Sequence, residues 1–244
     1  MATVLELEGV TKAFGELVVI SELDLAVGEG EAVGVVGPNG AGKTTMLNLT
    51  SGAMAPDRGR VLFRGQDVTR LKAHRHCRAG IARTFQVPRP FRGMTVYENI
   101  LVAATYGGGA SGTEREALAA ETLERTRLTP RANALAGSLT LLQRKQLELA
   151  RAWATRPEVL LLDEIGGGLT EAELDALVAT VGDLRAGGVA IVWIEHIVHA
   201  LLSVVDRLVA IAAGRKILDG DPREVMASPQ LRDVYLGESV EGAT

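Results

Sequence analysis

The chain has 244 residues, 47% of them hydrophobic and 23% charged, with a net charge of −4 at neutral pH. That suits one compact core with a smaller lobe, or at most two small domains. The acidic balance argues against a nucleic-acid groove, which needs a basic face. Cys77 is the single cysteine, so no disulfide framework is expected and a reducing compartment fits. Residues 1–9 lack the basic-then-apolar order of a secretory leader. No apolar run is long enough to cross a bilayer, and the richest, residues 204–213, contains Asp206 and Arg207. A membrane role is therefore expected to run through a partner.

Val4, Leu5, Leu7 and Val10 alternate as in a strand, and a mixed stretch follows to Val27. Residues 31–36 form a short apolar run that ends in Gly37-Pro38-Asn39-Gly40-Ala41-Gly42-Lys43-Thr44-Thr45. A helix is predicted from Lys43 to about Gly52. Residues 59–68 read as a strand with turns, 70–78 as a short helix and 81–86 as a second buried strand. After Gln86 the character changes. Pro88 and Pro90 interrupt regular structure, and residues 96–105, 114–128 and 141–154 carry helical patterning. A glycine-rich connector, residues 107–112, joins the first two. Past Pro157, strands are predicted at 159–162, 189–194, 208–212 and 216–218, with helices at 171–185, 222–227 and 229–236. This alternation predicts an α/β fold with a mainly parallel sheet. The expected organisation is a single domain, 1–244, with 1–86 and 157–244 as the core and 87–156 as an inserted helical lobe.

Gly37 to Thr44 fits the pattern Gly-x-x-x-x-Gly-Lys-Ser/Thr between a strand and a helix. Glycines let the backbone wrap so that its N–H groups face phosphate, and the helix start adds its positive dipole end. Lys43 supplies a point charge for the terminal phosphates and Thr44 a hydroxyl for Mg²⁺. Further on, Leu160-Leu161-Leu162-Asp163-Glu164 is an apolar strand that ends in two carboxylates. Asp163 is predicted to hold Mg²⁺ through its water shell, and Glu164 to be base or orienter for the attacking water.

With the motifs that follow, these residues resemble the ATP-binding cassette superfamily over nearly the whole chain. The resemblance implies a P-loop NTPase core with an N-terminal antiparallel β part and an inserted α-helical lobe, ATP as substrate and Mg²⁺ as cofactor. The loop residues Gly37, Pro38, Asn39, Gly40, Ala41, Gly42, Lys43, Thr44 and Thr45 would bind the nucleotide. Phe14, in Lys12-Ala13-Phe14-Gly15, stands where the family stacks an aromatic ring on adenine; the alternative is a core aromatic. Thr84-Phe85-Gln86 is similar to the Q-loop, whose Gln86 would reach Mg²⁺ and the attacking water and move with the helical lobe. Residues 94–100 match the stretch that follows that loop. His196, in Ile194-Glu195-His196, is similar to the switch histidine that contacts the γ-phosphate.

Two departures stand out. Where the family carries Leu-Ser-Gly-Gly-Gln, this chain has Leu139-Thr140-Leu141-Leu142-Gln143; the hydroxyl and amide of Thr140 and Gln143 remain as nucleotide contacts, but both glycines are leucine. After the carboxylates, Ile165 replaces the usual proline and Thr170 the usual Asp or Asn, and residues 166–168 give that loop backbone freedom. Sites in this family form between two subunits, one giving the phosphate loop and the other the signature. A homodimer would place the altered signature at both sites, so a heterodimer with a second ATPase subunit is favoured, a homodimer being the alternative. Residues 81–86, 91–96 and 193–196 resemble the ATPases of branched-chain amino-acid importers. This implies transmembrane permease subunits as partners, a periplasmic or extracellular substrate-binding protein indirectly, and a peripheral position on the cytoplasmic face of the cell membrane. Intact Lys43, Asp163, Glu164 and His196 argue against a non-hydrolysing regulatory subunit, and the absence of long coiled coils or a second cassette against repair and translation proteins.

His74, His76 and Cys77 fit no zinc spacing and read as a solvated basic helix. His199 has no evident partner. Trp153 and Trp193 read as core.

Overall fold

The computed structural model describes residues 2–241, with the side chains of residues 2–235. The first strands, β1 (Thr3–Phe14) and β2 (Leu17–Gly28), form a long antiparallel hairpin, and β3 (Ala32–Val36) leads into α1 (Lys43–Thr50). Then come β4 (Arg58–Phe63), β5 (Gln66–Asp67), α2 (Ala73–Ala79) and β6 (Ile81–Arg83). Three helices follow, α3 (Val96–Tyr106), α4 (Gly112–Arg125) and α5 (Leu141–Trp153). The chain closes with β7 (Val159–Asp163), α6 (Glu171–Arg185), β8 (Ala190–Ile194), α7 (Val198–Leu202), β9 (Arg207–Ala212), β10 (Arg215–Gly220), α8 (Pro222–Ala227) and α9 (Pro229–Glu241).

These strands make two sheets, an antiparallel one ordered β2-β1-β4-β5 and a larger one ordered β10-β9-β3-β8-β7-β6. In the larger sheet β9, β3, β8, β7 and β6 run parallel, and β10 is antiparallel at one edge. Every residue of β3, β7 and β8 is buried. Continuous apolar runs are what a parallel sheet covered on both faces requires. One apolar cluster packs the hairpin and α1 on one face of this sheet, through Ile20, Val33, Leu47 and Leu161. A second, around Trp193, Leu160, Leu177 and Leu208, covers the other face. A third lies among α3, α4, α5 and the segments that connect them, around Ile100, Leu123 and Leu147. Trp153 and Trp193 are both core, as expected.

The capping chemistry explains several boundaries. Thr95, Thr140 and Thr170 each cap a helix reciprocally with the residue three positions on, Glu98, Gln143 and Glu173. Two expectations need correction. The strand predicted over 81–86 ends at Arg83: the Thr84 amide still donates to the Leu161 carbonyl at 2.9 Å, but residues 85–87 beyond it are exposed. The helix holding His74, His76 and Cys77 is not solvated throughout. His76 is fully buried, with Nδ1 3.0 Å from the Thr50 carbonyl and Nε2 2.9 Å from the Val68 carbonyl. It forms the wall behind Gly52, where a Cβ would fall 2.4 Å from the ring.

Burial pushes the His76 pKa below its ordinary value of 6.5, although the facing carbonyls pull it up. The folded protein therefore resists protonating a ring that the unfolded chain protonates freely. Its contribution to stability is complete above pH 6.5 and declines as pH falls below that value. We expect thermal melts between neutral pH and pH 5 to show this acid-side loss, and His76→Gln to flatten it.

Candidate functional site

The larger sheet delivers four chain segments to one edge. After β3 the backbone turns through Gly37, where any Cβ would lie 2.0 Å from the Ile211 carbonyl oxygen of β9. Only glycine fits. Gly42 is as constrained, with a Cβ position 2.6 Å from Ile20 and φ of 99°. Gly42 caps α1 without any side-chain hydrogen bond. The first amides of α1 thus face an open cleft, the arrangement that receives phosphate. Lys43 is buried and curls back, its ammonium donating to the carbonyls of Gly37 at 2.6 Å and Pro38 at 2.8 Å. The cleft is lined by residues 39–45, Val19 of the hairpin and Glu164.

Glu164 follows β7 in a left-handed conformation, φ 46°, which a non-glycine residue adopts only when its surroundings hold it there. Its amide donates to the Ile194 carbonyl at 2.9 Å, extending the β7–β8 ladder by one bond. The strain aims the carboxylate at two partners: Gln86 Nε2 donates to one oxygen at 2.6 Å, and His196 Nε2 lies 2.8 Å from the other. Gln86, Glu164 and His196, from three separate segments, thus meet opposite the phosphate loop. Behind them Asp163 is almost wholly buried, and one of its oxygens accepts from Arg83 at 2.8 Å. Thr44, Asp163 and Gln86 together offer a hydroxyl, a carboxylate and an amide oxygen. Such an all-oxygen set with a single carboxylate fits Mg²⁺, which takes its other ligands from water and phosphates. No group of three or more His, Cys, Asp or Glu among the described residues is placed to hold a metal ion by itself.

Phe14 is 48% exposed at the hairpin end, with Lys12 Nζ 5.7 Å from its ring centroid. A core aromatic would be covered, so the ring is free to stack on a ligand. Thr140 and Gln143 lie away from this cleft lining, locked together as the cap of α5. The adjacent Leu141 packs toward Gly168, where its Cδ2 stands 3.2 Å from the Cβ position. Of residues 166–168 only Gly166 is buried: its amide donates to Glu195 at 2.9 Å, and Leu174 closes the space beside it, whereas Gly167 and Gly168 are exposed.

Three neighbours escaped sequence reasoning. Arg83 grips Asp163, the Tyr235 hydroxyl of α9 accepts from the Gly37 amide at 2.9 Å, and buried Glu195 holds the Gly166 and His196 amides. No local pattern announces any of them, since each pairs residues distant in sequence or turned inward by the fold.

A phosphate loop after β3, carboxylates at the end of β7 and the parallel sheet that carries both place the fold among the P-loop ATPases. The sequence profile of the ABC transporter family matches residues 20–166. The high-affinity branched-chain amino acid transport ATP-binding protein BraF of Pseudomonas aeruginosa is 38% identical, over 97% of this chain and 98% of that protein. The lipopolysaccharide export ATP-binding protein LptB of Haemophilus influenzae is 32% identical, over 97% of this chain and 98% of its own length. Among solved structures, a dimeric ATP-binding cassette in a post-hydrolysis state with ADP and Pi superposes with a TM-score of 0.79 at 25% identity, over 90% of this chain and 99% of that one. The chain belongs to the ABC transporter family and is a nucleotide-binding ATPase. No helix among the described residues is long and apolar enough to cross a membrane.

The Thr140 cap gives a direct test of the altered signature segment. Thr140→Ala removes the acceptor for the Gln143 amide and is expected to cost about 1 kcal/mol, seen by calorimetry as a melting point lowered by roughly 2–4 °C.

Proposed function

We propose that the chain is the ATP-hydrolysing motor subunit of a membrane importer for branched-chain or other hydrophobic amino acids. The observation that carries the catalytic part is the meeting of Gln86 and His196 on the two oxygens of Glu164, across the cleft from the phosphate loop. In this reading the loop amides and Lys43 hold the phosphates, and Phe14 takes the adenine ring. Glu164 orients and deprotonates the attacking water, Gln86 and His196 fix the carboxylate, and His196 faces the γ-phosphate. Thr44, Asp163 and Gln86 would hold Mg²⁺, which when bound would supply positive charge against the phosphates. Positioning and charge stabilisation then account for most of the rate.

The likeness to BraF supports amino-acid import; LptB, of an export system, is less similar. The site is completed across a dimer, where Thr140 and Gln143 of one subunit approach nucleotide held by the other. A signature with two leucines serves poorly in both halves of a homodimer, which favours a second, more regular ATPase subunit. Permease subunits would dock where core and helical lobe (residues 87–156) meet, in a groove lined by Phe85, Phe91 and Tyr106, all exposed. The chain would then sit peripherally on the cytoplasmic face, with the substrate-binding protein reached only through the permeases.

Two measurements test this reading. Glu164→Gln should retain ADP binding while ATP turnover falls by about 10²–10⁴, the usual contribution of a positioned base. Light scattering on the same variant with Mg·ATP should show a monomer alone and a closed dimer only once a co-purified second ATPase is added. A nucleotide-dependent homodimer would remove the heterodimer preference.

A further inference from the structure

Behind the cleft, Arg83 makes three hydrogen bonds through its two terminal nitrogens, none of them to the phosphate loop or Glu164. It ends β6 with its side chain 8% exposed. One terminal nitrogen donates to Asp163 at 2.8 Å. The other reaches Asn48 on α1 at 2.5 Å and Ser51, the residue that ends that helix, at 3.4 Å. The Phe85 ring lies 5.3 Å from its central carbon. Asp163 is equally enclosed, with 6% of its side chain exposed. Burying two charges is costly, and the cost is offset only when geometry and additional hydrogen bonds are good. Here the guanidinium is tethered from α1, so it cannot follow the carboxylate if that group turns. The carboxylate is held by its Oδ2, which leaves Oδ1 for another partner.

We infer that Arg83 is a positioning residue for the metal site: by clamping Oδ2 of Asp163 it presents Oδ1 to hydrated Mg²⁺ and thereby sets the Mg²⁺ requirement of nucleotide binding. This rests on the assignment of Asp163 made under the proposed function. Two effects oppose one another. A guanidinium charge near the site repels a second cation, whereas a fixed ligand geometry favours it. The guanidinium charge is shared between Asp163 and the amide oxygen of Asn48, so the geometric effect prevails. A buried carboxylate that loses its partner turns toward any donor it can reach. Partners of metal ligands in comparable positions change metal affinity by about 10–100-fold when removed.

The test uses the full chain and ADP, measured by titration calorimetry across a range of Mg²⁺ concentrations, so that no turnover is involved. In Arg83→Gln, the Mg²⁺ needed for half of the metal-dependent gain in ADP affinity should rise about 10–100-fold, with metal-free ADP affinity unchanged. Arg83→Lys, which keeps the charge but cannot bridge Asp163 and Asn48 together, should recover part of the loss. Asn48→Ala removes the tether and leaves the ion pair; it should shift the Mg²⁺ requirement in the same direction by a smaller factor, and it decides the matter if Arg83→Gln does not fold. An unchanged or lowered Mg²⁺ requirement in the folded variants would overturn the inference and leave Arg83 a staple between strand and helix. So would a parallel loss of metal-free ADP binding, which would mean a loosened phosphate loop. If the parent chain itself bound ADP without regard to Mg²⁺, the assignment of Asp163 would fail along with the role of Arg83.

Discussion

Parallel hydrogen bonding between β3, β8 and β7 is the constraint from which the site follows. Because these strands point the same way, their last residues share one edge of the sheet, where α/β folds characteristically bind ligands. Val35 pairs with Ile194 and Ile194 with Asp163, so the phosphate loop, the histidine turn and the acidic pair leave the sheet side by side. The single bond from the Glu164 amide to Ile194 then carries the register one residue beyond the strand. A slip in either pairing would reverse inward and outward faces and scatter the three segments.

The same edge concentrates local strain. Glu164 is left-handed, Gly37 has no room for a side chain, and Lys43 is turned back upon its own loop. The first two are held by something rigid behind them, Ile194 for Glu164 and the β9 backbone for Gly37, and the buried hairpin residue Ile20 stands against Gly42 beside Lys43. The long hairpin, which bears no catalytic group, is thus part of the site because it supplies the wall that shapes the loop.

Much of this was legible in the sequence. The phosphate loop and the acidic strand end are local patterns with a chemical reason for every residue, and α6 was readable to its ends because Thr170 and Arg185 mark them. The second strand of the hairpin was not read as one, since several register shifts in its pairing with β1 blur the alternation that identifies a strand. Long-range pairings left no trace: Gln86 and Glu164 lie 78 positions apart, Arg83 and Asp163 80. His76 looked like a surface residue because its helix is otherwise exposed, and only the fold decides which of seven residues turns inward.

The contact between Leu141 and Gly168 joins the altered signature segment to the loop after the carboxylates. With leucine at 141, a side chain at 168 would press into it, and the left-handed backbone at 168 already excludes most residues. The altered signature segment and the loop after the carboxylates therefore share one contact: a side chain at 168 would have to displace Leu141, and a glycine at 141 would leave that space unfilled. Movement of either segment is thereby passed to the other.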